Sequence, residues 1–276
     1  MKNSKAIIAV LVLMSMSIIT PVFAQNEIKE QLVVPLSDPA KSGTLNVGLI
    51  NGSIKVTGYA GKEVVIDAET TPITNKKEKV DESATGMKRI NPRGGLELSA
   101  EEKNNKVNVS SSSHRQPVNL AIKVPQQFSL KVSTVNNGDI VIDNVTGELE
   151  ITNVNGDITM TNVAGSAVAN TVNGIIKANF KTVTDAPMAF TTLNGNVDVT
   201  FPSNAKMNVK VKSDRGEVYS DFDMDIDKSA PKGVRSNQNG MYKVSIEEWI
   251  QGKVNGGGSE VMMKNMHGNI YIRKAK

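Results

Sequence analysis

The chain of 276 residues has no cysteine, two histidines and an aromatic content of 4%. Without cysteine there can be no disulfide, thiolate nucleophile, cysteine-based metal site or lipoprotein anchor. Few aromatic rings argue against a protein that binds nucleic acid by stacking bases. His114 and His267 lie in turn sequences without a Gly-x-Ser-x-Gly nucleophile motif, so no Ser-His-acid triad is indicated.

Positive charge is not concentrated anywhere along the chain. Lys and Arg number 32 against 28 Asp and Glu, and no basic stretch of the kind that tracks a phosphate backbone occurs. A nucleic-acid partner is therefore not expected.

The N-terminus has the three parts of a secretory signal peptide. Two lysines lie in the first five residues, a mostly apolar run spans Ala6–Ile19, and Val22–Ala24 offers small residues for cleavage before Gln25. The run is shorter than the ~20 residues of a membrane span. We expect residues 1–24 to be removed, leaving a net charge of +2 (30 − 28). The product is then exported to the periplasm, the cell surface or the medium, without a lipid anchor or a transmembrane segment.

Glycine recurs every nine residues in the middle of the chain, at Gly138, Gly147, Gly156, Gly165 and Gly174. Between the glycines, apolar and polar residues alternate, as in Ile140 and Ile142, which is typical of half-buried strands. A nine-residue unit cannot bury its apolar stripe alone, so the units must stack. The connections are too short for crossover helices. The pattern predicts an all-β, single-stranded parallel β-helix, or β-solenoid, with short Asn-Gly turns.

Looser copies of the unit extend this prediction to residues 25–276 as one domain. They read Asn51-Gly-Ser-Ile-Lys-Val56, Asn194-Gly-Asn-Val-Asp-Val199, Arg215-Gly-Glu-Val-Tyr219 and His267-Gly-Asn-Ile-Tyr-Ile272. Two stretches, residues 70–93 and 227–258, break the rhythm and are expected to be excursions from the stack.

The order of these motifs resembles a bacterial family of unknown function described as adhesin candidates. The resemblance covers about residues 40–275 and rests on Gly52–Gly61, Val64–Ile66, Ile122–Pro125, Asn255–Gly258 and Asn265–Ile270. It implies a β-helical fold and an envelope or surface location, with no catalytic residue or cofactor to carry over.

Two sequence patterns in the chain are similar to calcium-binding motifs. The nonapeptide calcium motif has Asp where this chain has Leu149 or Ile158, and its second glycine is missing. The segment Asp221–Asp227 puts four aspartates on one strand face, but Ile226 stands where an EF-hand needs glycine. A solvated strand edge is the better interpretation, and no metal or cofactor is expected.

The sequence favours a non-catalytic envelope or surface protein that acts as an adhesin-like binder or scaffold. Its partner would be a glycan, a cell-wall component or an envelope protein, and the solenoid ends could self-associate. The alternative is a polysaccharide lyase or hydrolase with its site in the excursions, because the short turns cannot wall a cleft. In both cases the expected contact residues are Arg235, Tyr242 and Trp249, and the alternative for Trp249, which the sequence favours, is a plug over the open end or flank of the solenoid.

Overall fold

The computed structural model describes residues 28–70, 96–112, 116–228, 234–238, 241–245 and 249–276. The predicted signal peptide and residues 71–93 of the first excursion lie outside this part. Every regular element within it is a β-strand, so none of the described residues forms an apolar helix of membrane-spanning length. The strands are β1 (Lys29–Pro35), β2 (Thr44–Asn51), β3 (Ile54–Tyr59), β4 (Glu63–Thr70), β5 (Leu98–Lys103), β6 (Lys106–Ser111), β7 (Val118–Pro125), β8 (Ser129–Asn136), β9 (Ile140–Asp143), β10 (Leu149–Asn153), β11 (Ile158–Val163), β12 (Ala167–Asn173), β13 (Ile176–Phe180), β14 (Met188–Asn194), β15 (Val197–Phe201), β16 (Met207–Ser213), β17 (Val218–Ser220), β18 (Met224–Ile226), β19 (Val234–Gln238), β20 (Met241–Ser245), β21 (Ile250–Val254), β22 (Ser259–His267) and β23 (Ile270–Lys274).

The described strands form two large sheets and one hairpin. Sheet A has the order β1-β4-β7-β3-β9-β11-β13-β15-β23-β17, and sheet B has the order β18-β21-β16-β22-β14-β12-β10-β8-β2-β6-β5. Strands β19 and β20 pair only with each other. The prediction of an all-β protein is confirmed.

The centre of both sheets is parallel and follows the glycine repeat. In sheet A, Ile140 pairs with Ile158, and Ile158 pairs with Ile176, so each step is 18 residues (158 − 140 and 176 − 158). Two nine-residue units therefore supply one strand to each sheet. We call two such consecutive strands, for example β8–β9, a rung.

The core lies between the two sheets and is built from every second residue of the strands. Ile, Val and Leu side chains such as Ile142 and Ile151 are fully buried there, as the alternation predicts. The step between rungs lengthens from 18 to 21 residues at Ile176 and Val197 (197 − 176). Near this irregular step the interior is filled by aromatic rings, with Phe180 stacked on Phe201 at 5.6 Å.

Three of the four ends of the two sheets are antiparallel, which corrects the prediction of a purely parallel stack, and only the β23–β17 end of sheet A stays parallel. Strands β1 and β4, β4 and β7, and β5 and β6 pair antiparallel at one end, and β21 pairs antiparallel with β16 and β18 at the other. Tight turns are the cause for β5 and β6. Asn104 and Asn105 between them have φ of 54° and 60°, as a two-residue type I′ hairpin requires.

The rungs do not stack in chain order, which corrects the expectation of a simple winding. The last rung, β22–β23, is inserted between β14–β15 and β16–β17. Likewise β2–β3 lies between β6–β7 and β8–β9. Residues 60–97 and 221–258 are long enough to carry the chain past a rung before it returns.

The glycines of the stacked turns touch, which explains their period. A Cβ on Gly138 would overlap the carbonyl oxygen of Gly52, and one on Gly174 would overlap that of Gly156. Gly52 also has a φ of +123°, which L side chains rarely adopt. Glycine is therefore required at those turn positions where a backbone carbonyl of the neighbouring turn, one strand spacing of about 4.8 Å away, occupies the place of a Cβ.

A polar side chain three or four residues before the turn glycine of its own rung ties neighbouring turns together, and all of these side chains are buried except the half-buried Ser213. Each donates a hydrogen bond to the glycine carbonyl of the adjacent rung. We call this set the inner ladder: Thr134 to Gly52 (2.8 Å), Asn153 to Gly138 (3.0 Å), Thr171 to Gly156 (3.1 Å), Thr192 to Gly174 (2.9 Å), Asn265 to Gly195 (2.9 Å) and Ser213 to Gly268 (3.0 Å). Each donor is an uncharged hydroxyl or amide group, and each acceptor is a backbone carbonyl oxygen. The inner ladder therefore fixes the stacking of the turns without any charged side chain.

Candidate functional site

The three residues predicted to contact a ligand fall in two places. Arg235 and Tyr242 belong to the β19–β20 hairpin, where Arg235 pairs with Val244 and Tyr242 pairs with Asn237. Trp249 directly precedes β21 and is half-buried. All three lie in the predicted second excursion, and their role as contact residues stays a prediction.

Trp249 lies against two lysines on the outer face of sheet B. The Lys210 ammonium is 4.8 Å from the centre of the Trp249 ring, and the Lys264 ammonium is 5.9 Å from it. Both distances are within the range of cation–π attraction. The positive charges of both lysines therefore lie close to the indole ring.

Beside Trp249 the outer face of sheet B forms an open groove of about 620 Å³. Its walls alternate in charge, with Lys210, Lys228 and Lys253 beside Asp225 and Glu260. A groove of mixed charge suits a polar partner but does not select phosphate or a metal ion.

The acidic segment Asp221–Asp227 is divided by the fold. Asp221 accepts a hydrogen bond from the backbone amide of Lys274 at 3.4 Å, whereas Asp225 lies in β18, where it pairs with Lys253. Within the described ranges no three His, Asp or Glu side chains lie close enough to hold a metal ion.

Two carboxyl groups of the described residues have a resolved pKa shift, and both are lowered. The pKa of Asp38 is held down by a side-chain hydrogen bond from Lys41 and a backbone one from Ala40. The pKa of Glu102 is held down by the Ser37 amide and hydroxyl and by the Asn105 amide. A general acid needs a raised pKa instead, so neither group is suited to that role.

The outer side of the stacked turns carries a row of exposed apolar side chains. Four of the five directly follow an inner-ladder donor, Ile50 follows the buried Leu49, and their exposed fractions range from 37% to 46%. We call these residues the turn edge: Ile50, Val135, Val172, Leu193 and Met266. Half-buried Val154 occupies the corresponding position between Val135 and Val172. One apolar side chain thus stands on every central rung.

An asparagine ladder runs beside the turn edge and holds it straight. Asn155 donates to Asn136 at 3.1 Å, Asn173 donates to Asn155 at 2.9 Å, and Asn194 donates to Asn173 at 2.7 Å. Together with the inner ladder, these bonds leave the turns little freedom. The turn edge is therefore a rigid apolar surface with a polar border, the kind of patch that marks a protein contact.

A second surface on sheet A was not predicted from the sequence. Tyr219 of β17 and Tyr271 of β23 stack with centroids 5.4 Å apart and ring planes 12° from parallel. A signal was available, because each tyrosine is the third residue after a turn glycine, Gly216 or Gly268. Any stacking of those two rungs brings the rings together.

Comparison with known proteins identifies a family. A sequence profile described as Toastrack DUF4097 matches residues 14–249, which is most of the chain. No curated protein sequence matches the chain significantly.

Three solved structures of bacterial proteins are similar to this chain over 91% of its length. A candidate cell adhesion protein of Clostridium sporogenes is 13% identical, with a TM-score of 0.46, 91% of this chain covered and 100% of the other. A candidate adhesin of Bacteroides fragilis is 11% identical, with a TM-score of 0.43 and coverages of 91% and 98%. A candidate lipid-binding protein of Parabacteroides distasonis is 9% identical, with a TM-score of 0.28 and coverages of 91% and 97%. These similarities carry no argument about function.

Proposed function

The chain belongs to the Toastrack DUF4097 family, and from this premise and its fold we propose that it is an exported, non-catalytic binding protein of the bacterial envelope or surface. Its rungs form a β-solenoid with two rungs out of chain order, and its excursions lie at residues 70–93 and 227–258. The solenoid serves as a rigid scaffold for exposed side chains, as stacked repeats do in other binding proteins.

The turn edge is the observation that supports a binding role. Five apolar side chains, each more than a third exposed, and the half-buried Val154 between two of them follow one another at the spacing of neighbouring strands. Contact of such an apolar row with water is unfavourable in free energy unless a partner covers the row. Because the row is apolar and bordered by asparagine amides, its partner is best matched by an envelope protein with a complementary apolar strip.

Catalysis has no comparable support. A carbohydrate-active enzyme would place paired carboxylates in a walled cleft. The groove beside Trp249 is open and mixes lysines with acids. The carboxyl groups with resolved pKa shifts, Asp38 and Glu102, favour the charged form.

A pull-down from solubilised envelope fractions tests the proposal. The test variant is Val135→Ser, Val172→Ser and Leu193→Ser on the turn edge. The matched control is Val33→Ser, Ile226→Ser and Ile250→Ser, which removes three exposed apolar side chains elsewhere. We expect the test variant to retain less than a tenth of the captured protein and the control to retain all of it. Equal capture by both variants would contradict a role for the turn edge.

Export and the absence of catalysis need separate measurements. Intact mass of the protein recovered from culture fractions should correspond to a chain that begins at Gln25 and carries no lipid. Release of reducing ends or unsaturated sugars from cell-wall or plant polysaccharides should stay at background. If the wild-type protein turns over a polysaccharide and substitution of an acid in the groove, such as Asp225→Asn, abolishes that turnover, the enzymatic proposal would replace the binding proposal.

A further inference from the structure

The outer face of sheet A carries a stack of planar groups at its C-terminal end. Arg273 forms two hydrogen bonds with the Asp198 carboxylate, at 2.7 and 2.9 Å. The guanidinium also lies over the Tyr271 ring, 4.9 Å from its centre, and Tyr271 in turn stacks on Tyr219. The order from the centre of the sheet outward is therefore Asp198, Arg273, Tyr271 and Tyr219.

Hydrogen bonds fix this stack before any ligand arrives. Asn269 donates its side-chain amide to the Tyr271 hydroxyl at 3.0 Å, and the Asp198 contact raises the pKa of Arg273. The four groups are thus held by contacts with one another across three strands. A pre-organised surface of this kind loses little entropy when a ligand binds.

The stack ends in an open ring face. Tyr219 is 51% exposed, and β17 is the outermost strand of sheet A in the described part of the chain. Tyr271 covers one face of the Tyr219 ring. The opposite face of the Tyr219 ring points away from Tyr271, past the edge of the sheet. A shallow cavity of about 230 Å³ adjoins the rings, with Ser220, Asp221 and Arg273 among its lining residues.

We infer that this surface, the tyrosine stack of Tyr219, Tyr271, Arg273 and Asp198, is a binding site for neutral glycans. The C–H face of a pyranose ring is apolar and flat enough to pack on the open face of Tyr219. The cavity is smaller than the ~300 Å³ at which drug-sized pockets begin. It therefore fits a single sugar residue, at the end of a glycan chain or at a bend in it. The Asp221 carboxylate and the guanidinium of Arg273 lie beside it as an acceptor and a donor for hydroxyl groups.

The charges near the site favour a neutral sugar over the other classes of ligand that stack on aromatic rings. Asp198 and Asp221 balance Arg273 and Lys274 around the site, so the surface has no net charge to attract phosphates. A nucleic acid, which could stack its bases on tyrosine, lacks a basic track here. Both cations are already engaged, Arg273 with the Asp198 carboxylate and the Lys274 ammonium with the Phe222 ring at 5.3 Å, which weakens their attraction for an acidic polysaccharide.

Titration calorimetry and saturation-transfer NMR on the whole chain test the inference, with chitotetraose and cellotetraose as neutral probes. We expect at least one of them to bind and to receive saturation from the tyrosine ring protons. Tyr219→Ala should weaken its association constant at least tenfold, whereas Tyr219→Phe should keep it within about twofold. Ile226→Ala, which removes a similarly exposed apolar side chain from the edge of sheet B at the same end, should leave it unchanged.

Three outcomes would overturn the inference. These are no binding of either neutral probe, binding that survives Tyr219→Ala, and tighter binding of oligothymidylate or polygalacturonate than of the neutral sugars. The site is separate from the turn edge, so the two proposals fail independently. A turn-edge variant that loses its envelope partner should still bind the sugar, and Tyr219→Ala should still capture the envelope protein.

Discussion

The hydroxyl of Thr192 donates a hydrogen bond to the carbonyl oxygen of Gly174, 2.9 Å away in the neighbouring rung, and only 2% of Thr192 is exposed. Thr192→Val keeps the shape of the side chain but leaves that carbonyl without its donor. We expect a loss of about 1–2 kcal/mol in the free energy of unfolding, measured by urea denaturation. Thr191→Val, one residue away and half-buried on the opposite face, should change it by less than about 0.5 kcal/mol. Equal effects would show that the inner ladder does not stabilise the stack.

The contact between glycines predicts a sharper loss. In Gly174→Ala the new Cβ would overlap the backbone carbonyl of Gly156, which cannot move without displacing a rung. We expect unfolding to become easier by about 2–4 kcal/mol, as when a buried backbone contact is over-packed. In the control Gly48→Ala, the Cβ meets the rotatable Ser133 hydroxyl at 3.0 Å, so stability should be unchanged or slightly higher. A harmless Gly174→Ala would refute the steric origin of the glycine period.

Periodicity predicts the strands of this fold better than it predicts their partners. The alternation around Ile140 and Ile158 and the nine-residue glycine period are local, and both follow from burial and turn sterics. The neighbour of a strand in the sheet is not determined by the sequence of that strand alone, because the local pattern of β22 is compatible with stacking on any rung that has an Asn-Gly turn. The out-of-order rungs, and the meeting of Tyr219 with Tyr271 across 52 residues (271 − 219), therefore depend on how far the excursions carry the chain.

The turn edge could be predicted in part. Each of its apolar residues follows a buried position and precedes Asn or His in the sequence, as Leu193 precedes Asn194. The order of residue types alone does not predict that the apolar side chain is exposed, because the strict alternation of buried and exposed positions ends where the strand meets the turn. Which side of the turn faces water becomes evident only when the asparagines align into a ladder.

The cluster around Glu102 predicts a pH dependence. Its carboxylate accepts hydrogen bonds from the Ser37 amide (3.1 Å), the Ser37 hydroxyl (2.9 Å) and the Asn105 amide (2.8 Å), which lower its pKa. A pKa lower in the folded than in the unfolded state gives stability that is complete above the unfolded value of about 4.3 and is lost as the pH falls through the folded value. Glu102→Gln should therefore lower the urea midpoint at pH 7, and the difference from wild type should shrink below about pH 4. Glu101→Gln, an exposed neighbour, is the control, and a pH-independent difference at Glu102 would contradict the assignment.

The position of Trp249, the single tryptophan, can be checked by fluorescence quenching. Because the ammonium groups of Lys210 and Lys264 lie 4.8 and 5.9 Å from its ring, iodide should quench its emission more strongly than caesium. Lys210→Gln should lower the iodide quenching constant by roughly twofold at low salt, with a smaller effect at high salt. Lys177→Gln on sheet A is the control. Equal quenching by both ions would place the indole away from the lysines.

The asparagine ladder is interrupted at one rung, and repairing it is the strongest test of its role. His267 pairs with Asn194 in the register of β22 and β14, at the position that asparagine holds in the four preceding rungs of the stack. Its Nε2 contacts Arg215 at 3.1 Å, while its buried Nδ1 has no hydrogen-bond partner among the described residues. His267→Asn should remove that unpaired nitrogen and extend the ladder toward Asn194, which should raise the free energy of unfolding by about 0.5–1.5 kcal/mol. His267→Ala removes the nitrogen without adding an amide and should give a smaller gain. If both variants have the same stability, the ladder contributes nothing at this rung, and the rigidity of the turn edge must come from the inner ladder alone.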